Sequence, residues 1–168
     1  IEILTWIFPP KSPLFSIRRY DLRVSGELCI RASSRWILFD ILNSKICKID
    51  KSLIEMYEPE NIDDKFEFAK IEIPQNFINQ IAVNIRRSDI DINNHVHNTI
   101  YAAFAYEALP QEIYENMNFS QIRISYKNGI KFGEKIVAKY AKAQNSHIVA
   151  IYDDKNGLKT LLEFCNCS

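Results

Sequence analysis

The sequence predicts an α+β chain in which antiparallel sheets curve around helices, in two units. Three observations carry this. Short runs rich in β-branched and aromatic residues recur along the 168 residues, spaced by Gly, Pro and Asn turns. Residues 94–109 contain neither Gly nor Pro and read as a helix. Two strand–Gly–strand hairpins, one at Gly26 and one at Gly157, echo one supersecondary plan in the two halves.

The elements follow in order. Residues 2–8 read as a strand stopped by Pro9 and Pro10, residues 14–24 as a second, and residues 27–42 as a long third after the Ser25-Gly26 turn. Trp6 and Trp36 are expected in the core. Residues 50–65 change character: Glu55, Glu58, Glu60, Asp63 and Asp64 gather around Pro59. They predict a short helix near 51–57 and then an acidic connecting loop. Extended chain is expected from Phe66 to Ile73, with the break between halves near 74–80. The domains are therefore 1–76 and 77–168. The second begins with a strand at 81–88 and the helix at 94–109. Strands follow near 119–127, 134–144, 146–153 and 158–166, the last two joined by an Asn156-Gly157 hairpin turn.

On the helix, Val96, Ile100, Ala103, Phe104 and Ala108 share a face, with Glu107 in its middle. A carboxylate there either is tuned by burial or reaches solvent at the helix end, and the second reading is preferred.

Composition excludes several classes. The chain is 47% apolar and 25% charged, with 21 basic and 21 acidic residues, so its formal net charge is zero. An overall nucleic-acid binder would be basic. No apolar run approaches the ~20 residues of a membrane span, and no signal peptide is visible. The chain starts at Ile1, which leaves a removed upstream targeting segment open. Cys29, Cys47, Cys165 and Cys167 lack zinc-ligand spacing. Cys165 and Cys167 read as a buried pair of free thiols, consistent with a reducing compartment.

The chemically richest stretch is Arg86 to Asn98, where Asp91, Asn93 and His95 recur at every second position between a strand and the helix. Asn93 or Asn94 is a candidate helix N-cap. The amides near 94–96 would then face outward at the positive end of the helix and could hold a developing oxyanion. Asp91 could act on water or on a carbonyl carbon, and His95 could donate a hydrogen bond or move a proton near neutral pH. For an isolated D-x-N-x-H, capping alone is the favoured reading of Asp and Asn at a helix start.

The wider pattern changes that weighting. Asp91-Ile92-Asn93-Asn94-His95-Val96-His97-Asn98, followed by Tyr101, resembles the D-x-N-x-H-V-N-N motif of the acyl-ACP thioesterases, a hotdog-fold family of plant plastids and bacteria. The resemblance extends to Thr5-Trp6, to Gly26-Glu27 with Ala32-Ser33-Ser34-Arg35-Trp36-Ile37-Leu38-Phe39-Asp40, and to Ile124-Ser125-Tyr126-Lys127 with Gly133-Glu134. Two positions depart. Gly129 stands where the family's Tyr-basic-x-Glu motif has a catalytic carboxylate, and His97 replaces the first Asn of V-N-N.

The resemblance implies a tandem hotdog whose first unit is incomplete here, its strand and central helix lying upstream. It implies hydrolysis of the thioester between a fatty acyl chain and acyl carrier protein, in fatty acid biosynthesis. Asp91 would be base or nucleophile, Asn93 would orient water or thioester, and His95 would assist. No metal or bound cofactor is implied, since the phosphopantetheine arm arrives with the substrate. The implied partner is acyl carrier protein, with pairing of the chain into a homodimer also open. The implied location is cytoplasmic, or plastid if a transit segment precedes the chain. The carrier is acidic, so Arg86, Arg87, Lys127, Lys131, Lys135 and Lys139 are candidates for its docking. If the acid at 129 has a substitute, Glu107 is the candidate. Two other readings stay open: a hotdog acyl-CoA thioesterase, and an acyl- or carrier-binding protein that has lost catalysis.

Overall fold

The computed structural model describes residues 1–40, 42–43, 45–61 and 68–166. The expectations that rest on Asp63, Asp64, Phe66 and Cys167 lie outside the described residues. The chain divides into two compact units, Ile1–Glu67 and Phe68–Ser168. Composition had placed the division later, at 76/77.

In the first unit, β1 (Glu2–Ile7), β2 (Ser16–Val24) and β3 (Glu27–Trp36) form an antiparallel meander in the order β1-β2-β3. The hairpin between β2 and β3 turns on Ser25 and Gly26, both at positive φ (52° and 84°), a conformation that suits Gly. The long third strand expected over 27–42 breaks after Trp36. β4 (Leu38–Asp40) instead pairs with β5 (Lys45–Cys47) in a separate two-stranded ribbon. Asp21 is buried and held by a two-pronged contact with the Arg31 guanidinium at 2.7 and 2.6 Å. Trp6 is half-buried, but Trp36 is 56% exposed, its indole N–H donating to the Ser34 hydroxyl, so it is not a core residue. The short helix α1 (Lys51–Glu55) forms as expected, with the Asp50 carboxylate accepting from the Ser52 amide at its N-cap.

The second unit is a five-stranded antiparallel sheet in the order β6-β8-β9-β10-β7. The strands are β6 (Asn79–Val83), β7 (Gln121–Tyr126), β8 (Ile136–Lys142), β9 (Ser146–Asp153) and β10 (Leu158–Cys165). The helix α2 (Ile100–Glu107) packs on β8, β9 and β10, and a second short helix, α3 (Gln111–Glu115), follows. Tyr101, Phe104, Ala105 and Ala108 of the α2 region meet Ala138, Tyr140, Val149, Ile151 and Leu162 of the sheet in one buried cluster. The helical wheel drawn from the sequence is therefore rotated in part. Ala103 and Glu107 face solvent, which removes Glu107 as a buried substitute for the acid at 129. Ile71 is buried against Ile148, Ala150 and Leu161, although 68–73 forms no strand.

The β9–β10 hairpin turns on Asn156 at φ 62°, with the Asp153 carboxylate accepting from the amides of Lys155 and Gly157. One residue later the ladder slips: Leu158 faces Tyr152 but Thr160 faces Ile151, leaving Lys159 as an extra residue in β10. Cys165 is half-buried with its thiol 3.2 Å from the Gln121 side-chain oxygen.

Candidate active site

The helix does not start where the sequence suggested. α2 begins at Ile100, and Thr99 occupies its N-cap without a side-chain hydrogen bond. Residues 91–95 form a closed loop instead. Its neck is a single antiparallel bridge between Ile90 and Val96. Inside it, the Asp91 amide donates to the His95 carbonyl at 2.8 Å and the Asn94 amide donates to the Asp91 carbonyl at 3.1 Å. Asn94 adopts φ 58°, a left-handed conformation that Asn tolerates and a helix interior does not.

Asp91 caps this loop. Its Oδ1 accepts from the amides of Asn93 at 2.8 Å and His95 at 3.2 Å. The His95 amide foremost, with the Asn93 amide and side chain, holds the Asp91 carboxyl below its usual range and outweighs the opposing effect of burial. Asp91 is thus a carboxylate at neutral pH. It is half-buried, Asn93 is exposed, and His95 is half-buried. The three residues expected at the site therefore share one tight loop with solvent access.

The expected oxyanion amides are not available. The Asn94 amide is bonded to Asp91 O, the His95 amide to Asp91 Oδ1, and the Val96 amide to Ile130 O at 2.7 Å. The early Asn residues build a loop rather than the start of a helix, so no helix end points outward there.

What the sequence did not reveal is the wall behind the loop. Residues 127–134 cross from β7 toward β8 and lie against His95 and α2. A β-carbon built on Gly129 would sit 2.6 Å from His95 Cδ2 and 3.2 Å from its Nε2. The buried Tyr101 hydroxyl accepts from the Ile130 amide at 3.1 Å, and burial pushes its phenol upward. Upstream, Asp89 is buried and accepts from the Arg86 amide at 2.8 Å and from its guanidinium, while the Asp89 carbonyl accepts from the His97 amide. Burial alone would raise the Asp89 carboxyl, but the Arg86 contacts outweigh it and the net shift is downward. Asp89 thus anchors the loop from below.

Among the basic docking candidates, Arg86 is engaged by Asp89, and the Lys139 ammonium lies over the rings of Tyr152 and Phe77 at 4.8 and 5.9 Å. Arg87, Lys127, Lys131 and Lys135 are exposed.

An antiparallel sheet packed on the helix α2 is the arrangement of a hotdog domain, and the loop of Asp91, Asn93 and His95 precedes that helix. Residues 71–163 match the family model described as the acyl-ACP thioesterase C-terminal domain, and the chain belongs to that family. An oleoyl-acyl carrier protein thioesterase of Arabidopsis thaliana is 28% identical over 141 residues, 76% of this chain and 38% of that protein. A second from the same plant is 23% identical over 174 residues, 95% of this chain and 47% of that protein. The chain thus spans less than half the length of these relatives. A 12:0-ACP thioesterase from Umbellularia californica shares the fold with a TM-score of 0.82 at 18% identity, covering 96% of this chain and 65% of that one. An acyl-ACP thioesterase from Bacteroides thetaiotaomicron does so at 0.81 and 18%, covering 97% and 67%.

Proposed function

We propose that this chain carries the catalytic loop of a thioester hydrolase that releases free fatty acid from acyl carrier protein, in fatty acid biosynthesis. The observation that supports this is the loop itself, in which a carboxylate kept ionised by backbone amides stands beside an imidazole and a carboxamide. A thioester is a good acyl donor, so these groups suffice without a serine nucleophile.

Asp91 takes the proton of an attacking water, or attacks the carbonyl carbon itself, expelling the thiolate and leaving an anhydride that water then hydrolyses to free the fatty acid and the carboxylate. Asn93 orients the water or the thioester. With the amides of 94–96 engaged, the His95 imidazole serves the carbonyl oxygen, and His95 returns a proton to the departing thiolate. The reading calls for no metal or resident cofactor, since the phosphopantetheine arm enters with the substrate. The partner is acyl carrier protein, met through the exposed Arg87, Lys127, Lys131 and Lys135. Pairing of units within or between chains and a cytoplasmic or plastid location complete the proposal.

Gly129 favours one other reading, an acyl or carrier-protein binder without turnover. Fatty-acid release from matched acyl-ACP and acyl-CoA substrates separates the cases. Release from acyl-ACP supports the proposal. Release from acyl-CoA alone makes the chain an acyl-CoA thioesterase, and binding without release makes it a binder.

A further inference from the structure

Lys159 is a buried cation with no part in the chemistry described above. Its side chain is 11% exposed. It stands at the slipped position of β10, as the extra residue in the pairing with β9. The carbonyl accepts from the amides of Lys127 at 2.9 Å and Asn128 at 3.1 Å, while Asn128 Nδ2 donates to Leu158 O next to it. The ammonium lies 2.7 Å from Glu134 Oε2, 3.4 Å from Asp153 Oδ2 and 3.5 Å from Gly129 O. Glu134 in turn accepts from the Lys131 amide through Oε1.

Both ends of the loop that backs His95 are thus tied to one residue. The middle is tied to the helix side, through Tyr101 on Ile130 N and Val96 on Ile130 O. Between these ties a side chain on Gly129 would meet the imidazole, its β-carbon only 2.6 Å from His95 Cδ2, so the ring would have to shift to admit one.

We propose that Lys159 is a positioning residue for His95: the irregularity in β10 aims it at the 127–134 loop, and its ammonium, shared by Glu134, Asp153 and the Gly129 carbonyl, holds Gly129 against the imidazole. The inference rests on the reading that places His95 in the site. It assigns the Glu134–Lys159–Asp153 cluster the task of fixing the imidazole where the chain carries no acid at 129. Burying the Lys159 ammonium at a strand irregularity, beside two partly exposed carboxylates, is a costly way to add stability alone, because desolvation offsets much of the attraction.

The test is Lys159→Met, read by NMR and by kinetics. The wild-type chain should show a strong cross-peak between the His95 ring Hδ2 and the Gly129 Hα protons. Lys159→Met should lose it, and kcat on acyl-ACP should fall about tenfold or more while KM stays within about twofold, as expected for a displaced catalytic group. Arg123→Met is the control. It removes a half-buried cation whose contacts are Glu163 and Ala69, and it should lower the melting temperature without moving the His95 signals. If Lys159→Met keeps the cross-peak, or shifts His95 no more than Arg123→Met does, the inference is overturned. If Lys159→Met does not fold, Glu134→Gln decides. It leaves the lysine but removes one counter-charge, so His95 ring shifts should move in the variant, and unmoved shifts overturn the inference. A wild-type chain that hydrolyses nothing counts against the proposed function only, since the NMR readouts need no turnover.

Discussion

The imidazole of His95 occupies the volume into which a side chain at residue 129 would point, and Gly129 is the residue there. The Gly129 backbone lies outside the left-handed region, so alanine fits it and only the ring has to move. Gly129→Ala should therefore cost stability little, about 1 kcal/mol or less. The same variant should lower thioester hydrolysis about tenfold by displacing His95. Thermal melts and steady-state kinetics on one preparation check both halves, and an unchanged rate would detach His95 from the chemistry.

Asp91→Asn is the cleanest probe of the base. The Asn side-chain oxygen can still accept from the amides of Asn93 and His95, so the loop keeps its shape while the charge is lost. Hydrolysis should fall to background while a long-chain acyl substrate still binds. Asp91→Ala removes the acceptor as well and should loosen the loop, visible as faster amide exchange at His95.

The acidic groups around the loop set a direction for stability against pH. Asp89 and Asp91 both have folded-state values below their ordinary ones, Asp89 because Arg86 outweighs its burial, Asp91 because of the His95 and Asn93 amides. The unfolded chain therefore binds more protons in acid. Their contribution is complete above the ordinary carboxylate value of about 4 and is lost as pH falls through the lower folded-state values. The melting temperature should be flat near neutrality and drop below about pH 4. Asp89→Asn should cost about 1–3 kcal/mol at pH 7, since a buried partner of Arg86 is weakened, and should reduce the acid dependence.

Phe104 joins α2 to the sheet and is 5% exposed in the main cluster of the second unit. Phe104→Ala should destabilise by about 3–5 kcal/mol. Denaturant unfolding measures it, and a loss below about 1 kcal/mol would mean that the helix is held chiefly by other contacts.

Strand identities were legible because alternating β-branched residues and the Asn156-Gly157 turn are local signals, and β1, β2 and β7 to β10 fall where those signals lie, whereas β6 ends at Val83, short of the strand expected over 81–88. The helix start was not. Asp91, Asn93 and Asn94 carry the residue types of an N-cap, but the same types close a loop when one of them takes φ 58°, and that choice depends on the Ile90–Val96 bridge and on Ile130, far along the chain. The break after Trp36 was hidden for a similar reason: β-branched and aromatic residues continue through Phe39, yet the pairing partner changes from β2 to β5. Asp91, Asn93 and His95 could be picked out as one constellation because they are neighbours in sequence. The Tyr101, Gly129, Glu134 and Lys159 surroundings could not, because they are joined only by the fold.

The extra residue at 159 stands outside the β9–β10 pairing: Leu158 faces Tyr152 and Thr160 faces Ile151 with Lys159 counted out, so deleting it would leave every pair from Thr160 to Cys165 in register. Such a deletion would instead take away the carbonyl and the ammonium that tie down the 127–134 loop. Shortening the strand by one residue there should therefore spare the sheet and loosen the loop.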